Sequence, residues 1–266
     1  MMVDISVIMA IHNEEKGLIL RAVQSILNQT YQNFELILCN DASNEEISLF
    51  LEEIVDLDSR ISLIVNKVNE YAARTRNKGI AAAQGKYIAI MDADDYCYPH
   101  RLETEFIFLE ANPGYDFVCS DAELFDGSNV LPSQYRLKAE PQKEDFLWSM
   151  PFVHATVMIK RECLLKANGY SAARVCRRAE DYDLFMRLYA LGYRGYNLQD
   201  VLYQYYVNVE MMRKKRRYQY RIDEAIVRLG NFRKLGLMPK GIPYVIKPLL
   251  VGLIPHRLIW KLKEKR

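Results

Sequence analysis

Along roughly the first 95 residues, short apolar runs and longer stretches of helical spacing take turns. ISVIMAI (5–11) is apolar throughout, is rich in β-branched residues and predicts a buried strand. EEKGLILRAVQSILNQ follows with Leu18, Ala22 and Ile26 on one stripe, the spacing of a helix. His12-Asn13-Glu14-Glu15 ahead of it predicts an N-cap and first-turn acids. FELILCND (34–41) predicts a second strand, EEISLFLEEIV a second helix and ISLIVNK (61–67) a third strand. ARTRNKGIAAAQG predicts a helix stopped by Gly85 as its C′ residue. YIAIM (87–91) predicts a fourth strand and runs directly into Asp92, Asp94 and Asp95. Strands alternating with helices in this way predict an α/β protein with a parallel, doubly wound sheet.

Beyond residue 115 the alternation weakens. YDFVCSDAELF, HATVMIKRE and YRGYNLQDVLYQYYVN are strand-like, while EDYDLFMRLYALG (180–192) predicts a helix ended by Gly192. The expected division is a domain over 1–210, halved near residue 115, and a basic tail over 211–266.

Charge sharpens that division. Residues 1–210 hold 20 Lys and Arg against 31 Asp and Glu, a net −11, whereas 211–266 hold 16 against 3, a net +13. An acidic body with a cationic tail implies two surfaces with different partners. The five cysteines are scattered without a C-x-x-C pair, which points away from a zinc site or a disulfide framework. No run has the length of a membrane span, and the N-terminus reads as a first strand rather than a signal peptide.

The chemistry follows from strand ends. In doubly wound sheets ligands sit outside the carboxyl ends of the strands. That places Ala10 to Asn13, Asn40-Asp41 and Asp92 to Asp95 on one crevice. In extended backbone D-x-D directs Asp92 and Asp94 to one face and Asp95 away. Converging carboxylates repel, and a hard cation such as Mg²⁺ or Mn²⁺ relieves that repulsion while bridging a nucleoside diphosphate. A solvated turn with a capping Asp is the bland alternative. Neither G-x-G-x-x-G nor G-x-x-x-x-G-K-[ST] occurs, so a dinucleotide or P-loop enzyme loses support.

Taken in order, SVIMAIHNEEKGLILRAVQSILNQTYQNFELILCNDASNEE, AARTRNKGIAAAQGKYIAIMDADD and AEDYDLFMRL resemble the family 2 inverting glycosyltransferases with the GT-A fold, over residues 4–205. The resemblance implies a Rossmann-like, mostly parallel sheet with helices on both faces, with a nucleotide-binding half at 1–115 and an acceptor half at 116–210. It implies that Ala10, His12 and Glu14 line the nucleotide pocket and that Asp41 takes the uracil or thymine N–H. Asp92 would lie near the ribose, and Asp94 would bind the metal through the diphosphate. Many members carry D-D-x-S-x-D where this chain has NDASNEE, so Asn40 replaces the first acid and Glu45 or Glu46 the last.

Inversion requires a hydroxyl to attack the anomeric carbon opposite the leaving diphosphate, with a carboxylate taking its proton. Asp181 matches the family's acidic pair and is the expected base. Glu180 is expected to orient base or acceptor, and Asp183 to be structural. Acids in a helix's first turn also have a purely structural explanation. His154 matches a family position near acceptor or diphosphate, against a buried, bonded histidine. Arg76, ahead of Arg74, is the expected nucleotide contact, and Trp148 can stack on an acceptor sugar.

The tail has its own pattern. Pro243, Pro248 and Pro255 are expected to break it into short pieces. From Pro255, Leu258, Ile259 and Leu262 form an apolar side beside Trp260, flanked by Arg257, Lys261, Lys263 and Lys265, an interfacial helix pattern. The expectation is a metal-dependent transferase, peripheral on the cytoplasmic face of the cell membrane. It would act from a UDP- or dTDP-sugar on a hydroxyl of a lipid-linked glycan in surface polysaccharide synthesis. The rivals are a membrane-bound nucleotidyltransferase, for which AIHNEEKG is too acidic, and a non-catalytic scaffold, against which the joint presence of Asp41, Asp92, Asp94 and Asp181 speaks. A phosphatase would need its nucleophilic Asp after the first strand, and a nucleic-acid binder is at odds with the acidic crevice.

Overall fold

The structure, a computed structural model, describes residues 3–131, 137–207 and 217–253. Its first half follows the hydrophobic rhythm: β1 (Ile5–Ile11), α1 (Lys16–Leu27), β2 (Phe34–Asn40), α2 (Glu45–Val55), β3 (Ile61–Val65), α3 (Tyr71–Ala82) and β4 (Tyr87–Asp92). β5 (Tyr96–Cys97), α4 (Arg101–Ala111), β6 (Phe117–Phe125), β7 (Val130–Leu131), β8 (Met158–Lys160), α5 (Arg161–Lys166), α6 (Glu180–Ala190) and β9 (Gly195–Tyr206) follow. Helices α7 (Gln219–Lys234) and α8 (Ile242–Leu253) complete the described chain.

One sheet runs β3-β2-β1-β4-β8-β6-β9-β5, with β7 on β6. The first four strands are parallel, and β8 lies antiparallel between β4 and β6. Alternation along β1 divides the core. Ile5, Val7, Met9 and Ile11 face α1, α2 and α4, while Ile8 faces the side covered by α3, α6 and α7. Burying each such side chain stabilises by roughly 1.5–3 kcal/mol, whereas a carboxylate carried inside would cost more. The chain therefore changes from apolar to acidic where β4 reaches the sheet edge, between Met91 and Asp92.

Several sequence expectations are corrected. The buried stripe of α1 is Ile19, Ala22, Val23 and Ile26, with Leu18 only partly covered. Glu15 is its N-cap but makes no side-chain cap bond, and the first turn holds no acid. Gly85 is no C′ residue: α3 ends at Ala82 with Ala83 as its cap. Gly85 instead lies against β1, where an added Cβ would sit 2.6 Å from the Ser6 nitrogen. Gly192, by contrast, does end α6 with φ +87°. In HATVMIKRE only Met158–Lys160 is strand, after a 3-10 turn at His154–Thr156 and before α5. Pro243 and Pro248 do not interrupt α8: Pro243 falls in its first turn, where no N–H is needed, and Pro248 is buried within it.

The segment expected as a tail is in its described part a packed helical pair. Phe232 is fully buried and belongs with Val227 to the core beneath α6. The expected interfacial helix from Pro255 lies outside the described residues, as does 211–216 of the cationic run.

Arg101 and Glu105 are both wholly buried behind β4. Arg101 Nη2 donates to the Ile90 carbonyl at 2.9 Å, and its Nε lies 3.2 Å from Glu105 Oε1. Arg101→Met strips the strand that carries Asp92 of this brace and isolates Glu105. The expected loss is about 3–5 kcal/mol, measured by urea unfolding; a change below about 1 kcal/mol would refute the brace.

Candidate active site

Strand register builds the site. Ala10 at the end of β1 lies opposite Cys39 of β2 on one side and Asp92 of β4 on the other. The residues that leave the sheet here must share one edge. They line a cleft of about 850 Å³, where Ala10, His12, Glu14, Asp41, Arg76, Asp92, Asp94, His154, Glu180 and Asp181 come together. Trp148 is not among them, although Ser149 and Met150 beside it are. Its exposed ring instead carries the Lys247 ammonium 3.4 Å from its centroid, at the junction with α8.

Asp41 is 3% exposed and is held by residues the sequence did not single out. Its Oδ1 accepts from Asn66 Nδ2 at 2.9 Å and from the Glu70 N–H at 2.7 Å. Asn66 follows β3 at the same sheet edge as Asp41, a positional signal that was available. Asn69 Nδ2 lies 2.9 Å from His12 Nε2, and His12 Nδ1 lies 2.8 Å from the Asp41 carbonyl. An amide NH₂ can only donate, so Nε2 accepts and His12 carries its proton on Nδ1.

Arg76 reaches the cleft from α3 and is 8% exposed. Its Nη2 donates to Asp92 Oδ1 at 2.8 Å, and Nη1 lies 3.7 Å from Glu180 Oε1. Burial works against the Asp92 charge, but Arg76, with Arg101 behind it, outweighs burial and holds Asp92 below the ordinary carboxylate range. Asp95 is 1% exposed and does not face the cleft. Burial, reinforced by Asp92 and Asp94, pushes its carboxyl far up. Its Oδ1 accepts the Tyr206 N–H at 2.7 Å, and the Tyr203 hydroxyl accepts the Asp92 N–H at 3.2 Å. Strand β9, distant in sequence, thus grips the acidic turn from behind.

Across the cleft, α6 starts at Glu180. Burial lifts Glu180 to about 7, with Arg76 opposing and Asp181 adding to the rise. Burial also raises Asp181, which lines the cleft. Asp183 turns inward, where Arg187 Nε at 2.7 Å and Asn231 Nδ2 at 2.8 Å bond its two oxygens and tie α6 to α7.

His154 has the Tyr170 hydroxyl 2.7 Å from Nε2. Tyr170 is 2% exposed, and this ring nitrogen is the one acceptor given to its O–H among the described residues. The hydroxyl therefore donates, and the neutral imidazole carries its proton on Nδ1. Burial, aided by Arg76, drops its pKa to about 3, so the ring stays neutral. Tyr170→Phe should mix the two tautomers, seen by ¹⁵N NMR, and lower kcat roughly 2- to 10-fold, the worth of one hydrogen bond. A wild-type ring protonated on Nε2 would overturn this assignment.

No three acidic, histidine or cysteine side chains converge as a closed metal cage among the described residues. The donor set nevertheless fits a hard divalent cation held by one or two carboxylates and completed by phosphate oxygens. Six carboxylates face the cleft against two arginines, Arg76 and Arg178, a balance in which a bound cation would offset repulsion of an anionic diphosphate.

A family profile described as Glycosyl transferase family 2 matches residues 6–174. The chain belongs to this family. The enzyme is 36% identical to EpsE of Bacillus subtilis (strain 168), named as a glycosyltransferase, over 98% of this chain and 94% of EpsE. It is 26% identical to the amylovoran biosynthesis glycosyltransferase AmsE of Erwinia amylovora, over 98% of each chain. Among solved structures, Staphylococcus aureus TarS 1–349 in complex with UDP-GlcNAc superposes with a TM-score of 0.73 at 17% identity, covering 92% of this chain and 73% of that one. The Pyrobaculum calidifontis mannosyltransferase PcManGT, in complex with GDP-Man and Mn²⁺, superposes with a TM-score of 0.62 at 21% identity, covering 93% and 68%. The glycosyltransferase shares the GT-A fold of these neighbours, and of the candidate activities sugar transfer is the one its family carries.

Proposed function

We propose that this glycosyltransferase moves a sugar, with inversion, from a UDP- or dTDP-sugar to a hydroxyl of a lipid-linked glycan during surface polysaccharide synthesis. The observation that carries this reading is the meeting of Asp41, Asp92, Asp94, Glu180 and Asp181 in one cleft. Asp41 would take the base N–H, and Asp92, paired with Arg76, the ribose. Asp94, with Asp92 beside it, would hold Mn²⁺ or Mg²⁺, which offsets charge on the leaving diphosphate when bound. The Asp181 carboxylate would receive the acceptor proton as the hydroxyl oxygen bonds to the anomeric carbon. The bond from that carbon to the diphosphate oxygen breaks, and the nucleoside diphosphate departs. Support comes from the sugar nucleotides in the TarS and PcManGT structures and from the polysaccharide named for AmsE. A donor screen with purified protein and Mn²⁺, read as nucleotide release, tests it; release from GDP-sugars alone would replace the donor assignment.

An anionic membrane surface is the proposed second partner, bound through 211–266 on the cytoplasmic side. No helix among the described residues is long and apolar enough to cross a membrane. Helix α8 does leave Ile242, Ile246, Leu250 and Leu253 exposed at 46%, 44%, 59% and 70%. These positions recur at helical spacing on one side, a face suited to lying in the headgroup boundary. Deleting everything after residue 210 would remove core residues of α7 as well, so substitution is the cleaner test. Ile246→Glu with Leu250→Glu should reduce sedimentation with anionic vesicles several-fold at unchanged Tm. Equal partitioning would reject the membrane contact.

A further inference from the structure

Next to the cleft lies a second cavity, of about 460 Å³, between the start of α3 and the segment before α6. It shares Ala72 and Glu180 with the acidic cleft but has the opposite electrostatic character. Arg74, Arg174 and Arg177 line it. Its two acids are already engaged: Glu70 by Lys78 at 2.6 Å and Glu180 by Arg76. Arg74 has no hydrogen bond or ion pair among the described residues, and Arg174 meets Asp223 only at 3.9 Å with its side chain 66% exposed. Arg177 lies 3.7 Å from the ring centroid of Tyr71.

Tyr71 is itself unusual. Its φ of +66° lies in the left-handed region, which side chains other than glycine rarely adopt. The Asn69 side chain, accepting the Tyr71 N–H at 3.0 Å, holds it there. Strain of this kind persists where surrounding structure enforces it, typically at a ligand site. Here it sets the aromatic ring beneath the Arg177 guanidinium.

We propose that this cavity is an anion subsite that receives a phosphate or diphosphate group of the acceptor. Guanidinium forks match phosphate oxygens bidentately, and three of them gathered in one cavity, of which only Arg174 meets a carboxylate and that at 3.9 Å, favour an anion between them. A group seated there is anchored directly beside Glu180, so a hydroxyl on the same molecule can reach the Glu180–Asp181 pair. The donor diphosphate belongs on the far side of Arg76, against Asp94. This inference rests on the proposal that Asp181 receives the acceptor proton.

The test uses the full chain and inorganic pyrophosphate, titrated calorimetrically in EDTA, where the acidic cleft has no cation to attract it. Wild type is expected to bind. Arg74→Gln with Arg177→Gln should weaken binding at least tenfold at unchanged Tm, and Asp94→Ala should bind as wild type does. No wild-type binding, or equal binding by the double variant, overturns the proposal. The double variant should also bind UDP with Mn²⁺ normally; a parallel loss of UDP affinity would move the arginines to the donor and overturn it. Failure of the donor-site reading shows separately, as Mn²⁺-dependent UDP binding that survives Asp94→Ala. Displacement of pyrophosphate by farnesyl diphosphate identifies a lipid-linked headgroup, and displacement by a glycerol phosphate oligomer a phosphodiester polymer. Displacement by neither refutes the acceptor assignment.

Discussion

Asp181→Asn is expected to lower kcat by roughly 10²–10⁴-fold, the usual loss when a general base is removed, while UDP affinity stays within about twofold. The substitution keeps shape and removes basicity at a position that lines the cleft. The neighbouring acid gives the prediction a second edge. Glu180 titrates at about 7 because burial disfavours its charge, so below neutrality it is mostly protonated and loses its ion pair with Arg76. Activity of the wild type should therefore fall as pH drops through 7. Glu180→Gln should remove that limb and leave only the one set by Asp181, whose own pKa is raised by burial. Near-normal turnover of Asp181→Asn across this range would reassign the base.

Asp94→Ala should abolish the gain in UDP affinity that Mn²⁺ confers. The expected loss is on the order of 10- to 100-fold or more, since even an outer partner of a metal ligand is worth that much. Asp94 is the suited ligand because it lines the cleft two residues beyond the end of β4, beside Asp92. Asp92 is engaged by Arg76, and Asp95 is buried and bonded to Tyr206. Calorimetry with and without Mn²⁺ separates the metal contribution from what Asp41 and the rest of the cleft would supply alone. A variant with the wild-type Mn²⁺ response would take the metal away from Asp94.

Much of the fold of residues 1–115 is legible in the sequence alone. β1, β2 and β4 are continuous apolar runs, and a parallel sheet buried on both faces leaves them no other place. Once they are parallel neighbours, Asp41 and Asp92 must emerge at one edge. The structure departs from the sequence pattern where the role of a residue depends on its surroundings. Gly85 suits a helix end by type, yet its lack of a side chain serves the close approach of β1. Pro248 argues against a helix on propensity, yet α8 continues through it with that proline buried. Trp148 sits in a segment suited to sugar stacking but carries Lys247 on its ring instead.

The sequence by itself determined the parallel half of the sheet, the order of its strands' acidic ends and the family to which they belong. Those features depend on periodicity and on residues close in the chain. Only the tertiary structure decided that Arg76 joins Asp92 to Glu180, that Tyr170 sets the His154 tautomer, that Tyr203 and Tyr206 hold the acidic turn, and that α7 belongs to the core. Each of these joins residues from separate elements, and burial together with the fixed directions of hydrogen bonds, rather than any local pattern, selects the partners.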